Sequence, residues 1–484
     1  MTQWQSIKPG SKIFFVGIGG ISMSGLAEIA QSDGFLVAGS DRNPGHRTSH
    51  LTDAGIDVYH GHSQQWIDRF HPDLVVHTAA VHADNPELIR AGELGIPVID
   101  RAHFLGWLIR SYESVINIAG THGKTTTTAL CSLILIEEGL DPAVHLGAEL
   151  RQFHGTVRTS RKRQIIVSEA CEYQNSFLQF NSTTAAILNI DYDHVDSFSG
   201  LEDVIHAFTR FADKIDDQGL LIVPDADPNV KRMLSEFTEH RSIAGRSLPR
   251  LITFGIVDDN ENKTARPIPD YAACHLTFVQ GLPVFDLCHK GHSLSIHLKI
   301  PGRHNVMDAL AAIACAHENG ASLETAASVL NSFQGAEGRF TDVGRYRGAR
   351  VIADYAHHPA AARATLSAAE LIPHKNLWVV FQPLTFSRTR VLFDDYVSVL
   401  RPYQVVFSEI FSDREINPGD ISSRMLADQI NKLGGHAAFT DDHEQIRAWL
   451  DVRVEPEDVI LVLGPENIRD YADQLTGRTS HLND

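Results

Sequence analysis

The residues best able to do chemistry are Gly120, Thr121, His122, Gly123, Lys124, Thr125 and Thr126. An apolar run from Ser114 to Ala119 leads into them, and a helical stretch from Ala129 to Glu138 comes after. Strand, glycine loop and helix in that order expose backbone N–H groups to phosphate oxygens at a helix N-terminus. The loop is shorter than the Walker A spacing GxxxxGK[ST], but its physics is the same: Lys124 can reach the outer phosphates and the Thr125 hydroxyl can join a Mg²⁺ shell. Lys124 is expected on a solvent-facing loop.

Two acidic runs succeed strands in the same region. Ser168-Glu169-Ala-Cys171-Glu172 comes after one, and Asn189-Ile-Asp-Tyr-Asp-His194-Val-Asp196 after the next. In an open parallel sheet both end on the edge that carries the phosphate loop. Carboxylate and imidazole there can ligate one or two Mg²⁺ ions, or simply cap turns.

An earlier glycine turn, Gly17-Ile-Gly19-Gly20 with Ser22 and Gly25, also joins a strand to a helix, and Ser40-Asp41 ends the next strand. Its spacing departs from GxGxxG, which favours a diphosphate held at the helix N-terminus over a redox dinucleotide. Asp41 either faces a ribose or uracil or serves the turn. Late in the chain, Asp354-Tyr355-Ala-His357-His358-Pro359 and Phe381-Gln-Pro-Leu384-Thr-Phe-Ser-Arg388 each come after a strand. The paired histidines suit a metal or a turn, and Arg388 suits bidentate recognition of phosphate or carboxylate.

Three α/β units are needed to position these groups. Strands at Lys12 to Val16, Phe35 to Gly39, Leu74 to Thr78 and Pro97 to Ile99 build a first domain over residues 1–112. The pattern restarts at Ser114 and continues through Gln164 to Ser168, Thr184 to Ile190 and Gly219 to Val223, with a strand-rich segment from Leu251 to Ile300 and an Ala-rich buried helix after Gly302. That is a central domain over 113–334, a parallel sheet with an added β segment. Strands at Arg350 to Ala353, Leu377 to Phe381, Gln404 to Phe407 and Val459 to Leu463 mark a third α/β domain over 335–484, joined near Gly335 to Gly338.

Composition narrows the function further. Against 60 Asp+Glu stand 42 Lys+Arg, a formal charge of −18, which repels nucleic acid and anionic membrane and leaves an anionic small molecule as the partner of a locally positive cleft. Cys131, Cys171, Cys274, Cys288 and Cys315 are odd in number with no CxxC pair, so they read as buried reduced thiols. Neither a signal pattern nor a run of about 20 apolar residues occurs, and a cytoplasmic protein is expected.

The runs GTHGKTTTT, SEACEY, NIDYDHVD, GRHNVMDALAA, GRF, DYAHHP and FQPLTFSRT, in this order, resemble the Mur ligase family along essentially the whole chain. The threonines after Lys124, DYAHHP and FQPLTFSRT look most like the alanine-adding branch. The resemblance implies a Rossmann-like UDP-binding domain, a central P-loop ATPase domain and a Rossmann-like closing domain. It implies ATP and Mg²⁺ as cofactors, UDP-N-acetylmuramate and L-alanine as substrates, and a monomer or weak dimer.

Carried over by motif, Lys124 is the phosphate lysine, Thr125, Glu169 and His194 are metal ligands, and Asn305 is the adenine contact. Arg339, Tyr355, His357 and Arg388 come from the hinge and third domain. Gly19, Gly20, Ser40, Asp41 and His62 form the sugar-nucleotide side. Cys171 stands where Asp is usual, Asp308 where Asn is, Leu384 where His is frequent, Gly338 where a second Arg is frequent, and Gly464 to Ile468 read GPENI. Rival readings are a ligase attaching a ready-made peptide to the same sugar acid, a nucleotide-sugar dehydrogenase, and a non-catalytic nucleotide-binding module.

Overall fold

The computed structural model describes residues 3–478 apart from 44, 79, 151, 154, 161, 259–266 and 413–414. Its strands form three separate sheets. The first has the order Asp57–His60, Leu36–Asp41, Lys12–Val16, Leu74–His77, Val98–Asp100, every pair parallel. Strand Lys12–Val16 is central and four of its five residues are buried, so its carboxyl end, where the glycine turn begins, lies at the crevice such sheets offer to ligands.

The second sheet runs His292–His297, Leu282–His289, Tyr271–Val279, Arg250–Ile256, Ile215–Pro224, Ser182–Ile187, Ser114–Ala119, Ile165–Ala170, Ala143–Leu150, Gly155–Arg158. Its middle is parallel, while antiparallel hairpins extend it at both ends. The expected β segment is therefore an extension of the same sheet, although residues 259–266 of that stretch lie outside the described residues. Ser114–Ala119 sits between Ile165–Ala170 and Ser182–Ile187, parallel to both. That register brings the phosphate loop, Glu169 and the run after Ile187 to one edge.

Helix Lys124–Glu137 carries the phosphate loop and is buried over most of its length despite four threonines. Two of its hydroxyls are satisfied within the helix: Thr128 Oγ1 donates to Lys124 O and Ser132 Oγ to Thr128 O, each at 2.7 Å. Against it packs helix Arg303–Glu318, whose residues Ala309 to Ala316 are fully buried. Alanines keep this helix narrow enough to sit close behind the loop. Cys131 and Cys315 meet there and are buried, but Cys171, Cys274 and Cys288 are only half-buried, a correction to the expectation of five buried thiols.

The third sheet runs Thr341–Tyr346, Ala349–Asp354, Val459–Leu463, Leu377–Phe381, Gln404–Phe407, His436–Phe439, parallel except for its first pair. Among the described residues, no helix is long and apolar enough to cross a membrane.

Leu310→Ala removes a fully buried side chain from the helix backing the phosphate loop and is expected to cost about 2–5 kcal/mol. Denaturant titration checks it through a lowered midpoint at constant slope.

Candidate functional site

The phosphate loop is pinned from both sides. Gly123 has φ +84, and a Cβ there would lie 2.2 Å from Asp308 Oδ1, so only glycine fits. Asn189 clamps His122 at two points, accepting from its N–H at 2.8 Å and donating to its carbonyl at 3.0 Å. Asp308 is buried behind the loop, and burial holds its carboxyl well above the usual range even with the Thr127 hydroxyl near it. A neutral carboxyl has nearly the shape and hydrogen-bonding of an amide, which accounts physically for Asp where Asn is frequent.

Lys124 is not on an open loop, contrary to expectation: its side chain is 11% exposed. The ammonium donates to Gly120 O at 2.5 Å, Thr121 O at 3.2 Å and Glu172 Oε2 at 3.0 Å. Burial works against its charge, but Glu172 with Cys171 and Glu169 outweighs burial and raises its pKa above the ordinary lysine value. Beside it, Thr125 Oγ1 donates to Glu169 Oε2 at 3.0 Å, and Gly147 N donates to the same oxygen at 2.9 Å. A hydroxyl and a carboxylate oxygen this close are the hard donors that a Mg²⁺-sized ion takes.

His194 stands apart from that pair. Its Nε2 lies 3.6 Å from Glu172 Oε1, and its Nδ1 is buried without a hydrogen-bond partner. Its backbone has φ +51, a conformation that costs a non-glycine residue about 1–3 kcal/mol and gathers at functional sites. The three residues expected as metal ligands thus divide into Thr125 with Glu169, and His194 with Glu172 and Cys171. Burial, then Glu172, pushes the Cys171 thiol up to about 11.

The third domain reaches across. Arg388 is 2% exposed, and its Nε and Nη2 both lie 2.7 Å from Asp193 Oδ1 in the central domain. Burial alone would raise Asp193, but Arg388 and then His194 outweigh it and hold the carboxyl well below its usual range. Arg388 Nη1 is buried and unpartnered. His358 caps helix Pro359–Glu370 through Ala360 N at 3.2 Å, while its Nε2 lies 3.2 Å from Tyr192 O. His122, Asp191 and His358 form a second group with metal-ligand spacing across this seam. Burial, then Arg388, lowers His357 far below its ordinary value, so it is a neutral imidazole. Arg339 stacks over the Tyr355 ring at 4.9 Å.

One cavity of about 1010 Å³ is lined by Lys124, Thr125, Glu169 and His194 of the central domain and by Arg339, Tyr355, His357 and Arg388 of the third. Thr121, His122, Gly123, Thr126 and Asn305 also line it, and Asn305 Nδ2 donates to Pro301 O at 2.7 Å. Gly120 lies beneath, its carbonyl holding Lys124. Among the described residues of the first domain, only Ile21 and Arg47 line the cavity. Gly19, Gly20, Ser40, Asp41 and His62 form their own group at the first sheet's edge. Asp41 Oδ2 accepts from Gly19 N at 2.8 Å and Oδ1 from Asn43 N at 3.0 Å, so it anchors the turn. Ser40 Oγ and buried Glu87 both bond to His62 Nδ1, at 3.1 and 2.8 Å.

Sequence reasoning gave Arg47 and Arg469 no site role, and took Glu172, Asn189 and Asp193 only as members of two runs whose carboxylates and imidazole could ligate Mg²⁺ or cap turns. Asn189, Asp193 and Glu172 stand inside runs that mark the sheet edge, but Arg47 and Arg469 carry no local signal. Gly338 has φ +71, which strains any side chain there, and a Cβ would also lie 2.5 Å from Arg469 Nη1, the mobile end of a guanidinium from the helix Glu466–Thr476.

A fold of three α/β sheets around a phosphate loop, with a third-domain arginine inserted at its edge, defines a nucleotide-using ligase class. Family models match in the same order: the Mur ligase family catalytic domain at residues 12–113, the Mur ligase middle domain at 118–316 and the Mur ligase glutamate ligase domain at 338–465. The UDP-N-acetylmuramate--L-alanine ligase of Alkaliphilus metalliredigens is 40% identical over 460 residues, 94% of this chain and 95% of that protein. The protein of the same name in Acetivibrio thermocellus is 39% identical, covering 94% and 93%. The crystal structure of the UDP-N-acetylmuramate-alanine ligase of Thermotoga maritima superposes with TM-score 0.75 at 27% identity over 96% of this chain and 98% of that one. The chain belongs to the Mur ligase family. Membership removes the dehydrogenase reading.

The Asp193–Arg388 pair yields a pH prediction. A carboxyl with a depressed folded pKa stabilises the fold above its unfolded value, near 3.8, and loses that contribution as pH falls toward the folded value. Asp193→Asn strands a buried guanidinium and is expected to cost about 3–5 kcal/mol at neutral pH. The deficit relative to the unsubstituted chain should shrink in acid. Urea midpoints across that range test it, and equal midpoints at neutral pH contradict it.

Proposed function

We propose that the chain joins the lactyl carboxylate of UDP-N-acetylmuramate to the amine of L-alanine at the expense of ATP, through an acyl phosphate, as a cytoplasmic step of peptidoglycan precursor synthesis. The observation that carries this reading is the single cavity shared by Lys124 of the phosphate loop, Arg47 of the first domain and Arg388 of the third. Three cations from three domains around one space suit a triphosphate, a second anionic substrate and a carboxylate-bearing amine.

In this reading the loop N–H groups and Lys124 hold the β- and γ-phosphates, and Asn305 and Arg339 frame the nucleoside. Mg²⁺ held by Thr125 with Glu169, and a second ion held by His194, would offset phosphate charge. The carboxylate oxygen attacks the γ-phosphorus in line and ADP leaves. Lys124 exchanges Glu172 for the equatorial oxygens as charge spreads over the phosphoryl group. The amine then attacks the acyl carbon and phosphate departs, with no covalent enzyme intermediate. Half-buried Leu384, with Phe411 beside it on the cavity wall, presents an apolar surface suited to a methyl side chain rather than a charged one. Tyr355 and His357 stand on the same side.

ADP release measured with UDP-N-acetylmuramate and each of the common amino acids should be highest with L-alanine. A preference for a preformed peptide would make the chain a recycling ligase instead. Lys124→Ala is expected to lower kcat by about 10²–10³ and, because it leaves buried Glu172 unpaired, to lower thermal stability as well. Glu169→Gln should raise the Mg²⁺ concentration for half-maximal activity, and an unchanged Mg²⁺ titration removes Glu169 from the metal shell.

A further inference from the structure

We propose that Cys171, Glu172 and His194 form a site for a thiophilic divalent cation of the zinc class, and that its occupancy shuts the phosphate cavity down. The thiol sulfur, a carboxylate oxygen and a ring nitrogen lie within 4.8 Å of one another. These are the three donor types that zinc takes, at about 2.0–2.3 Å each, with a fourth position left to water. Closing the set around one ion asks for side-chain adjustments of about an ångström, and two features of the site favour it.

First, His194 brings a buried ring nitrogen with no hydrogen-bond partner, which binding could use or orient. Second, the donors stand on two rigid strand ends: Cys171 and Glu172 come directly after Ile165–Ala170, and His194 belongs to the run after Ser182–Ile187. As the sulfur–metal bond forms, the thiol proton leaves to solvent.

A carboxylate in place of the thiol would make this an all-hard oxygen and nitrogen set suited to Mg²⁺, whereas sulfur turns it toward softer ions. Binding would engage His194 and so take from the phosphate wall a group that the proposed function gives to Mg²⁺. The inference rests on the donor geometry and stands or falls separately from the choice of L-alanine as substrate.

The test uses the metal-free full-length chain titrated with Co²⁺ and then Zn²⁺. Expected are one ion per chain, a thiolate-to-cobalt charge-transfer band with the visible bands of tetrahedral cobalt, and bleaching of both by Zn²⁺. Cys171→Ser should abolish the charge-transfer band and weaken Zn²⁺ binding at least about tenfold, with its melting temperature showing that it folds. Cys131→Ser, at the helix interface away from the loop edge, should keep the band. In Mg²⁺-supported ADP release, Cys171→Ser should need at least about tenfold more Zn²⁺ for half-inhibition than the unsubstituted chain. Absence of a thiolate band in the unsubstituted chain, or a band that survives Cys171→Ser, overturns the proposal. Loss of the band in Cys131→Ser alone would assign it to the Cys131–Cys315 pair and overturn it equally.

Discussion

A lysine ammonium with only 11% of its side chain exposed must have anions and carbonyls around it, and much of this structure is arranged to supply them. Lys124 heads a helix whose free N–H groups already favour negative charge, and two loop carbonyls and Glu172 close around its Nζ. A polyphosphate entering the loop offers the same ammonium a stronger set of acceptors than one carboxylate. Glu172 is then a placeholder whose displacement couples nucleotide binding to the group beside His194. Asp308 behind the loop, whose carboxyl burial holds well above its usual range, obeys the same logic, since burial there disfavours a second negative charge beside the phosphates.

Around this centre the third domain meets the central one through polar contacts, whereas one apolar core that includes Phe15 and Phe104 together with Ile166 and Phe177 runs from the first domain into the central one. Arg388 enters the central domain as a guanidinium bound to Asp193. His358 meets Tyr192 O, and on the other side Arg47 spans from Gly19 O to Glu149. Charged and hydrogen-bonded junctions of this kind can exchange partners when anionic ligands arrive, which a well-packed apolar seam does not permit. They suit a reaction whose intermediate must be shielded from water and then released.

Much of this was legible in the sequence because the phosphate loop, the two acidic runs and DYAHHP each succeed a strong apolar strand, and parallel strands deliver the residues at their carboxyl ends to one edge. Ser114–Ala119, Leu377–Phe381, Gln404–Phe407 and Val459–Leu463 fall where their apolar runs predict. Asp57–His60, Gly155–Arg158 and His436–Phe439 went unread. These are short strands at sheet edges with polar or small residues, so neither alternation nor an apolar run marks them. Pairings distant in sequence were not legible either. Nothing local in Arg388 names Asp193, nothing at Gly338 names Arg469, and the burial of Lys124 is a property of three converging elements.

Because the central claim is transfer of a phosphoryl group to a carboxylate, the most direct test traces oxygen. UDP-N-acetylmuramate labelled with ¹⁸O in its lactyl carboxylate, turned over with ATP, Mg²⁺ and L-alanine, should yield inorganic phosphate carrying one labelled oxygen for each amide formed. Unlabelled phosphate accompanying amide formation would mean that the carboxylate never attacks the γ-phosphorus, and would contradict the account.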